Sequence, residues 1–412
     1  MNCNFIKAIL VSLLLLVTQI VAADQYDTIR YHRNSIYTLL IEHPGCKFEN
    51  QIKTEFLKIS LSNKFNDHNL SVRSIIGSSN KDQTKDIQYF LSNADVAKRL
   101  VSKWFDRDKD SGSFDFALVA QRGYYDASVT DLNISNLSER GKSILADAGE
   151  NLIGKTFIIV NDIRYIDKER QGQNIKTFLQ LGASLAGSFS GANAYNTGNS
   201  LSGLLNMTSS LADLIAGFRV IVTSYLYRLN WNEENSNNFY KNYYFDRNCI
   251  DEKKKIDYEN DHDLFKLELV GKYTSSSTKI VSRGVNSNEE VIRKVCARAL
   301  DKNYAELSST YEIFRIKSPI LNVSSGYVTS PIGLKEGITK DSKFEVLEII
   351  KDKVGKTIYR RVGIVKPVPD KIWDNQYMSI EEDAVNSNLE FTVFKIISGK
   401  NFYPGMLIRE IK

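Results

Sequence analysis

The sequence predicts an α/β domain built on a mixed sheet with flanking helices, followed by a small β-barrel or sandwich, and three observations carry that reading. Near the start, the β-branched run Ser35-Ile-Tyr-Thr-Leu-Leu-Ile41 precedes an amphipathic stretch from Phe48 to Ile59, with Ile52, Phe56 and Ile59 on one face. In the middle, Leu137, Gly141, Ile144, Leu145, Ala148 and Leu152 recur at helical spacing and give way, through Gly154, to the strand-like Phe157-Ile-Ile-Val160. Beyond Tyr311, short β-rich runs alternate with glycine and charged turns, the texture of a small barrel or sandwich.

Taken in order, strand chemistry at Ser35–Ile41 and the helix from Phe48 open the domain, and Asn66-Asp-His-Asn69 reads as a polar turn before a strand over Leu70–Ile76. Ile87 to Phe105 holds one or two amphipathic helices. Asp106, Asp108, Asp110 and Gly112 resemble the opening of a calcium loop, but the glycine comes one residue late and Ala117 stands where a bidentate glutamate should close it, so a solvated acidic turn is expected. Phe114 to Ser128 mixes apolar and polar residues without a clear period.

Gly149, Gly154, Lys155 and Thr156 match the spacing G-x-x-x-x-G-K-[ST] of a phosphate-cradling loop. Such a loop works when a strand delivers it and a helix leaves it, aiming backbone N–H groups at the phosphates. Here the periodicity predicts the reverse order, with Gly154 just past a helix C-terminus where carbonyls point outward. The match is therefore read as a helix stop, and no bound cofactor or metal is expected; a nucleotide-binding enzyme using Lys155 and Thr156 is the alternative.

Thr177 to Ala212 spans 36 residues without one charge, rich in Gly, Ala, Ser and Asn. Leucines on either side of Gly191–Gly198 suggest a helical hairpin inserted at about 171–217. Neither half supplies the ~20 consecutive apolar residues of a bilayer-spanning helix, so the hairpin packs on its own sheet, on another subunit or peripherally on a membrane. Phe218 to Trp231 carries the longest strand signal and is expected to pair with the Thr156–Ile166 strand across the insertion. The aromatics Phe239, Tyr240, Tyr243, Tyr244 and Phe245 read as strand packing, with a glycan-stacking platform as the other use. Asp251–Asp263 reads as a solvated charge run, Phe265–Val270 as a strand, and Asn288–Ala305 as the helix that closes the domain near residue 310, with Cys296 on its buried face. From 311, strands are expected over Gly333–Gly337, Lys343–Ile350, Tyr359–Val365 and Phe391–Ile397, with a turn at Pro404-Gly405 into Met406–Ile408.

Lys7, the apolar run Ala8–Val17 and the small-residue exit Val21–Ala23 have the form of a signal peptide over 1–23, with export to the periplasm or outer membrane as its consequence. A net charge of +5 on 412 residues, without a basic stripe interleaved with aromatics, argues against nucleic acid as a partner. Cys46, Cys249 and Cys296 remain after such a leader and allow one disulfide, not a disulfide framework. His32, His43, His68 and His262 are isolated in sequence, and Gly182-Ala-Ser-Leu-Ala186 lacks the last glycine of a nucleophile elbow, so catalytic signatures are missing.

Asn66-Asp-His68, Arg122-Gly-Tyr124, Ala146-Asp-Ala-Gly149 with Thr156-Phe157, Val160-Asn-Asp162 and Tyr227-Arg-Leu-Asn-Trp231 together resemble an uncharacterised family of exported proteins from Gram-negative bacteria, over most of the chain. The strand and helix order is similar to the domain of the curli-secretion channel lipoprotein and the amino-terminal domain of the translocation protein TolB. The Gly333–Glu348 segment is similar to the carboxy-terminal barrel of flagellar assembly protein T. That family has no assigned activity to carry over. The missing catalytic signatures, the uncharged hairpin and the barrel lead to the expectation of a non-enzymatic envelope protein that works by assembly, scaffolding or assistance to secretion, with envelope or self-association partners, and a surface glycan-binding module is a further alternative. Unlike the secretion channel, this chain offers no lipid-bearing cysteine and no alternating membrane hairpins.

Overall fold

The computed structural model describes residues 34–46, 48–58, 64–78, 80, 82–123, 149–167, 215–282, 288–353, 357–376, 379 and 385–411. The expected leader over 1–23, the helix over 136–148 and the inserted hairpin expected over about 171–217 lie outside them, except 215–217, which begin a strand.

The protein is mixed α/β, with one mixed six-stranded sheet and one curled antiparallel seven-stranded sheet that forms a half-barrel. The first is organised on β1 (Asn34–Glu42), buried from Asn34 to Ile41. β2 (Phe65–Asp67) and β3 (Ser74–Ile76) pair in parallel with its beginning and its end, and β4 (Thr156–Asp167) runs parallel along its other edge, Ser35 opposite Thr156 and Ile41 opposite Asp162. β5 (Ile215–Asn230) and β6 (Lys266–Ser282) then add antiparallel. A strand covered on both faces and both edges can only be a near-continuous apolar run, and β1 is one.

Helices cover both faces. α1 (Glu49–Lys58) and α7 (Asn288–Thr310) pack Phe56, Ile52, Val295 and Leu300 against Leu40, Ile163 and Val222. On the other face α2 (Thr84–Asn93) and α3 (Val96–Trp104) pack Ile87, Leu91, Val96 and Leu100 on Tyr37, Leu39, Ile158 and Val160. The amphipathic stretch resolves into two helices because Asp95, at φ 47, breaks the coil between them. The residues around Phe114 form α4 (Ala117–Gly123).

Several elements differ from the sequence reading. Asn66 and Asp67 of the expected polar turn belong instead to β2, which β1 recruits as an edge partner, while His68 and Asn69 follow it outside the strand, the His68 amide donating to the Ile36 carbonyl. The strand expected over 70–76 contracts to β3. The aromatic segment is a helix, α5 (Glu233–Asn242): the Asn232 side chain caps it by accepting from the Asn235 amide, and Glu233 and Glu234 favour its positive end. The charge run is α6 (Glu252–Asn260), capped by Asp251. Phe239, Tyr243, Tyr258 and Phe265 then meet Phe105, Phe114 and Trp231 in one aromatic cluster at the end of the sheet.

In the half-barrel the order is β7 (Lys317–Pro319), β13 (Leu407–Ile411), β10 (Lys343–Lys351), β11 (Thr357–Pro367), β12 (Thr392–Gly399), β9 (Tyr327–Ser330) and β8 (Asn322–Ser324). Its concave core joins Ile320, Val346, Val365, Phe394 and Ile408. Gly333–Gly337 is not a strand: Leu334–Glu336 is a 3-10 turn, ended by Gly337 at φ +80.

That turn docks the half-barrel on α7. The Lys335 ammonium lies 3.5 Å from the Asp301 carboxylate, which is 5% exposed. Burial pushes the Asp301 carboxyl up to about 6, against the opposing pull of Lys335. A carboxyl whose folded-state pKa exceeds its unfolded value stabilises the fold at low pH and loses that contribution as pH rises through about 6. The stability of Asp301→Asn relative to the native chain therefore increases between pH 4 and 7.5, by about 2 kcal/mol for a shift of this size. Urea unfolding of both proteins at the two pH values measures it, and a pH-independent difference would refute it.

Candidate functional site

The sheet changes its direction of winding at β1. One connection leads through α1 to β2 and β3 on one side, and the next leads through α2, α3 and α4 to β4 on the other. In open α/β sheets the carboxyl ends of the strands at such a reversal form the crevice that receives ligands. Here β1 ends at Glu42 while β4 runs on to Asp167, and the step between them is lined by His43, Cys46, Arg164 and the apolar Leu40, Ile52 and Ile163 around a cavity of about 240 Å³.

Asp162 anchors the crevice. It is 3% exposed, accepts from Arg164 Nε through both oxygens at 3.1 and 3.0 Å, and lies 2.6 Å from His43 Nε2. A carboxylate this deep is tolerated because a guanidinium neutralises it. Imidazole and carboxylate at this separation form an acid–base pair. The arrangement clamps the end of β1 to β4, and the exposed Cys46 thiol lines the same crevice. Beneath it, Asn161 faces the other side of the sheet. It accepts from Ser224 Oγ at 2.7 Å and donates to Tyr304 of α7, and Asn303 donates to Ser224 Oγ at 3.0 Å.

From this root β4, β5 and β6 continue as a three-stranded antiparallel ribbon. Pairing extends to Asp167 opposite Phe218 and Ile215 opposite Ser282, whereas β1 has no pairing with β4 beyond Ile41. At roughly 3.3 Å per residue the ribbon projects about 15 Å past β1. Its end carries residues 168–214, which contain the uncharged stretch.

The phosphate-loop match lies at the opposite end of the sheet. The chain reaches Lys155 from a helical turn at 149–153 and leaves it as β4. The carbonyls of Gly154 and Lys155 accept from Arg228 Nε and the Ser35 amide, and the Lys155 amide donates to Leu152. Outward carbonyls are the wrong polarity for an anion. The glycines serve packing instead, since a Cβ on Gly149 would lie 2.0 Å from the Val119 carbonyl oxygen and one on Gly154 3.0 Å from that of Trp231. Thr156 is fully buried and accepts from the Trp104 indole N–H at 2.7 Å.

Around Thr156 the structure assembles residues that are far apart in sequence. Arg122, 7% exposed, stacks over Trp104 with 4.5 Å to the ring centroid and donates to Ser35 Oγ and His68 Nδ1, both at 2.9 Å. His68 Nε2 donates to the Leu100 carbonyl, and burial together with the adjacent guanidinium pushes its pKa down to about 3, so the ring is neutral. Sequence reasoning treated His43 and His68 as isolated because their partners lie 119 and 54 residues away. The one signal was the shared appearance of Asn66-Asp-His68, Arg122-Gly-Tyr124 and Val160-Asn-Asp162 in the motif set.

Of the five aromatics, Phe239 and Tyr243 are buried in the cluster and Phe245 is buried beside Phe114, while Tyr240 and Tyr244 are half-buried against it. Cys46 and Cys249 are exposed and Cys296 is buried, and all three are free thiols. Asp108 of the acidic turn accepts from the amides of Asp110 and Ser111, and no cluster of three metal-ligating side chains occurs among the described residues.

If Thr156 serves packing, Thr156→Val lowers stability by about 1–3 kcal/mol by leaving the indole N–H unpaired, while Thr156→Ser, which keeps the acceptor, costs less. Magnesium-ATP leaves the melting temperature of the native chain unchanged. Thermal unfolding checks both statements, and stabilisation by the nucleotide would contradict them. In comparisons with known proteins, no protein-family model matches the chain and no curated protein matches it significantly.

Proposed function

We propose that this is a non-enzymatic component of a bacterial envelope that works by assembly. In this reading the α/β domain is the scaffold, the uncharged stretch 177–212 is the contact with further copies or with a membrane surface, and the half-barrel is a docking module. One observation carries it: β4, β5 and β6 extend beyond β1, and the chain joining the ends of β4 and β5 includes 36 consecutive uncharged residues. A paired ribbon is a stiff mount, and a stretch without charge loses little on leaving water for an interface. The signal-like leader supplies the route to the envelope. No helix among the described residues is long and apolar enough to cross a membrane.

The test compares the chain without its leader to a variant in which 177–212 is replaced by a short Gly-Ser loop. Sedimentation velocity and co-flotation with phosphatidylethanolamine–phosphatidylglycerol vesicles are measured for both. The native chain forms oligomers or floats with vesicles, and the variant does neither while keeping its melting temperature. A native chain that stays monomeric at high concentration and remains with the soluble fraction would overturn the reading, as would a variant indistinguishable from it.

A further inference from the structure

Among the described residues β6 is an edge strand over its whole length. β5 pairs with its inner side from Lys266 to Ser282, and no strand pairs with its outer side. Such an edge offers a row of backbone N–H and C=O groups to another strand. Lys266 and Lys272 stand on it, but Asp263 at 3.4 Å and Asp82 at 2.7 Å answer them from within the chain. Between Lys272 and Lys279 the edge carries no charge, in a stretch that contains Thr274-Ser-Ser-Ser-Thr278.

That run of five reads the same in both directions, and an antiparallel partner is met in reverse. A second copy turned about a two-fold axis at Ser276 therefore matches it position for position: Thr274 lies opposite Thr278, Ser275 opposite Ser277 and Ser276 opposite its counterpart. Positions that meet are an even number apart, so backbone groups pointing outward in one strand face outward groups in the other. Like pairs of threonine and serine are favourable across strands, and the next positions set Tyr273 opposite Lys279 and Lys272 opposite Ile280, so no two lysines meet. The match closes at Val270, which the pairing with β5 skips between Leu269 and Gly271.

The same axis brings the rest of the ribbon into contact. From Ser275 onward β6 belongs to the part that projects past β1, since Ser275 pairs with Val222, Val222 with Ile163, and β1 reaches only to Asp162. In the two-fold pair Ser282 of one copy lies opposite Val270 of the other, so each ribbon runs alongside its neighbour's sheet. The ends of β4 and β5, which residues 168–214 join, are carried there with it.

We propose that β6 is the interface through which two copies of this chain join, edge to edge in an antiparallel pair centred on Ser276, so that their two sheets become one. This inference rests on the assembly reading and gives its contact between copies a geometry. A single strand pair is marginal in water. The edge and the stretch 177–212 therefore hold the pair jointly, the first setting register and the second adding contact, and loss of either returns monomers.

The test uses the chain without its leader, with Cys46→Ser and Cys249→Ser to remove the exposed thiols. Ser276→Cys is added and oxidised with copper phenanthroline. Across an antiparallel pair the two Cα atoms at 276 are about 4.5–5.5 Å apart, within the span of a disulfide. Lys266→Cys, which has no strand residue opposite it, is the control. Disulfide-linked dimers form at 276 and not at 266. In sedimentation velocity Ser276→Lys, which sets two ammoniums against each other, weakens association about ten-fold or more at an unchanged melting temperature, and Ser276→Thr associates as the native chain does. Oligomers without a disulfide at 276, equal cross-linking at 266, or native-like association of Ser276→Lys would overturn this interface while the assembly reading stands. A chain that floats with vesicles as a monomer would do the same. A chain that is monomeric and stays in the soluble fraction would overturn both.

Discussion

The α/β domain depends on the parallel pairing of β1 with β4. That ladder brings together residues more than a hundred positions apart, Ser35 with Thr156 at one end and Ile41 with Asp162 at the other. Each end is then fastened by side chains: His43, Asp162 and Arg164 at the carboxyl end, and Ser35, Arg122, His68 and the Trp104–Thr156 bond at the other. Parallel pairs cannot be made by a tight turn, so the long crossover that joins them needs specific contacts to fix its register. The buried polar groups supply that specificity, since a slip of one residue would leave the Trp104 indole without its partner and part Asp162 from His43.

Much of this architecture was legible in the sequence because it rests on local pattern. β1, α1, the β4–β5 pairing and the long helix α7 each have a sustained hydrophobic period, and tertiary packing reinforces that period. The segment 235–246 was misread for a physical reason. Its aromatics suit strands as residues, yet Asn232 and two glutamates fix a helix start just before them, and the helical spacing of Phe239 and Tyr243 then places both on one buried face. Capping outweighed residue preference. The three-residue strands β7 and β8 carry no periodic signal, because three residues span barely one repeat of the pleat.

The polar centres were legible only as motifs. Nothing in the spacing of His43 and Asp162, or of His68 and Arg122, announces a contact, because both pairs are made by the sheet and not by either segment. The phosphate-loop match is the converse case, a pattern complete in sequence whose meaning is set by direction. With a helical turn before it and a strand after it, the same residues become a compact corner in which Gly149 admits the backbone of α4 and Thr156 holds a tryptophan.

β6 is the last strand of its sheet, and among the described residues no strand lies on its outer side, although it runs for 17 residues. The rims of the half-barrel, β7 and β8, have three residues each, too few to template another sheet. β2 and β3 on the opposite edge of the first sheet are equally short, so among the described residues the long open edge is that of β6. Lys266 and Lys272 stand on it, each beside an aspartate, and charged side chains on an edge strand are a common brake on indiscriminate strand addition. Within the described residues the sheet thus keeps one long seam unpaired while setting an electrostatic condition on what can be stitched to it.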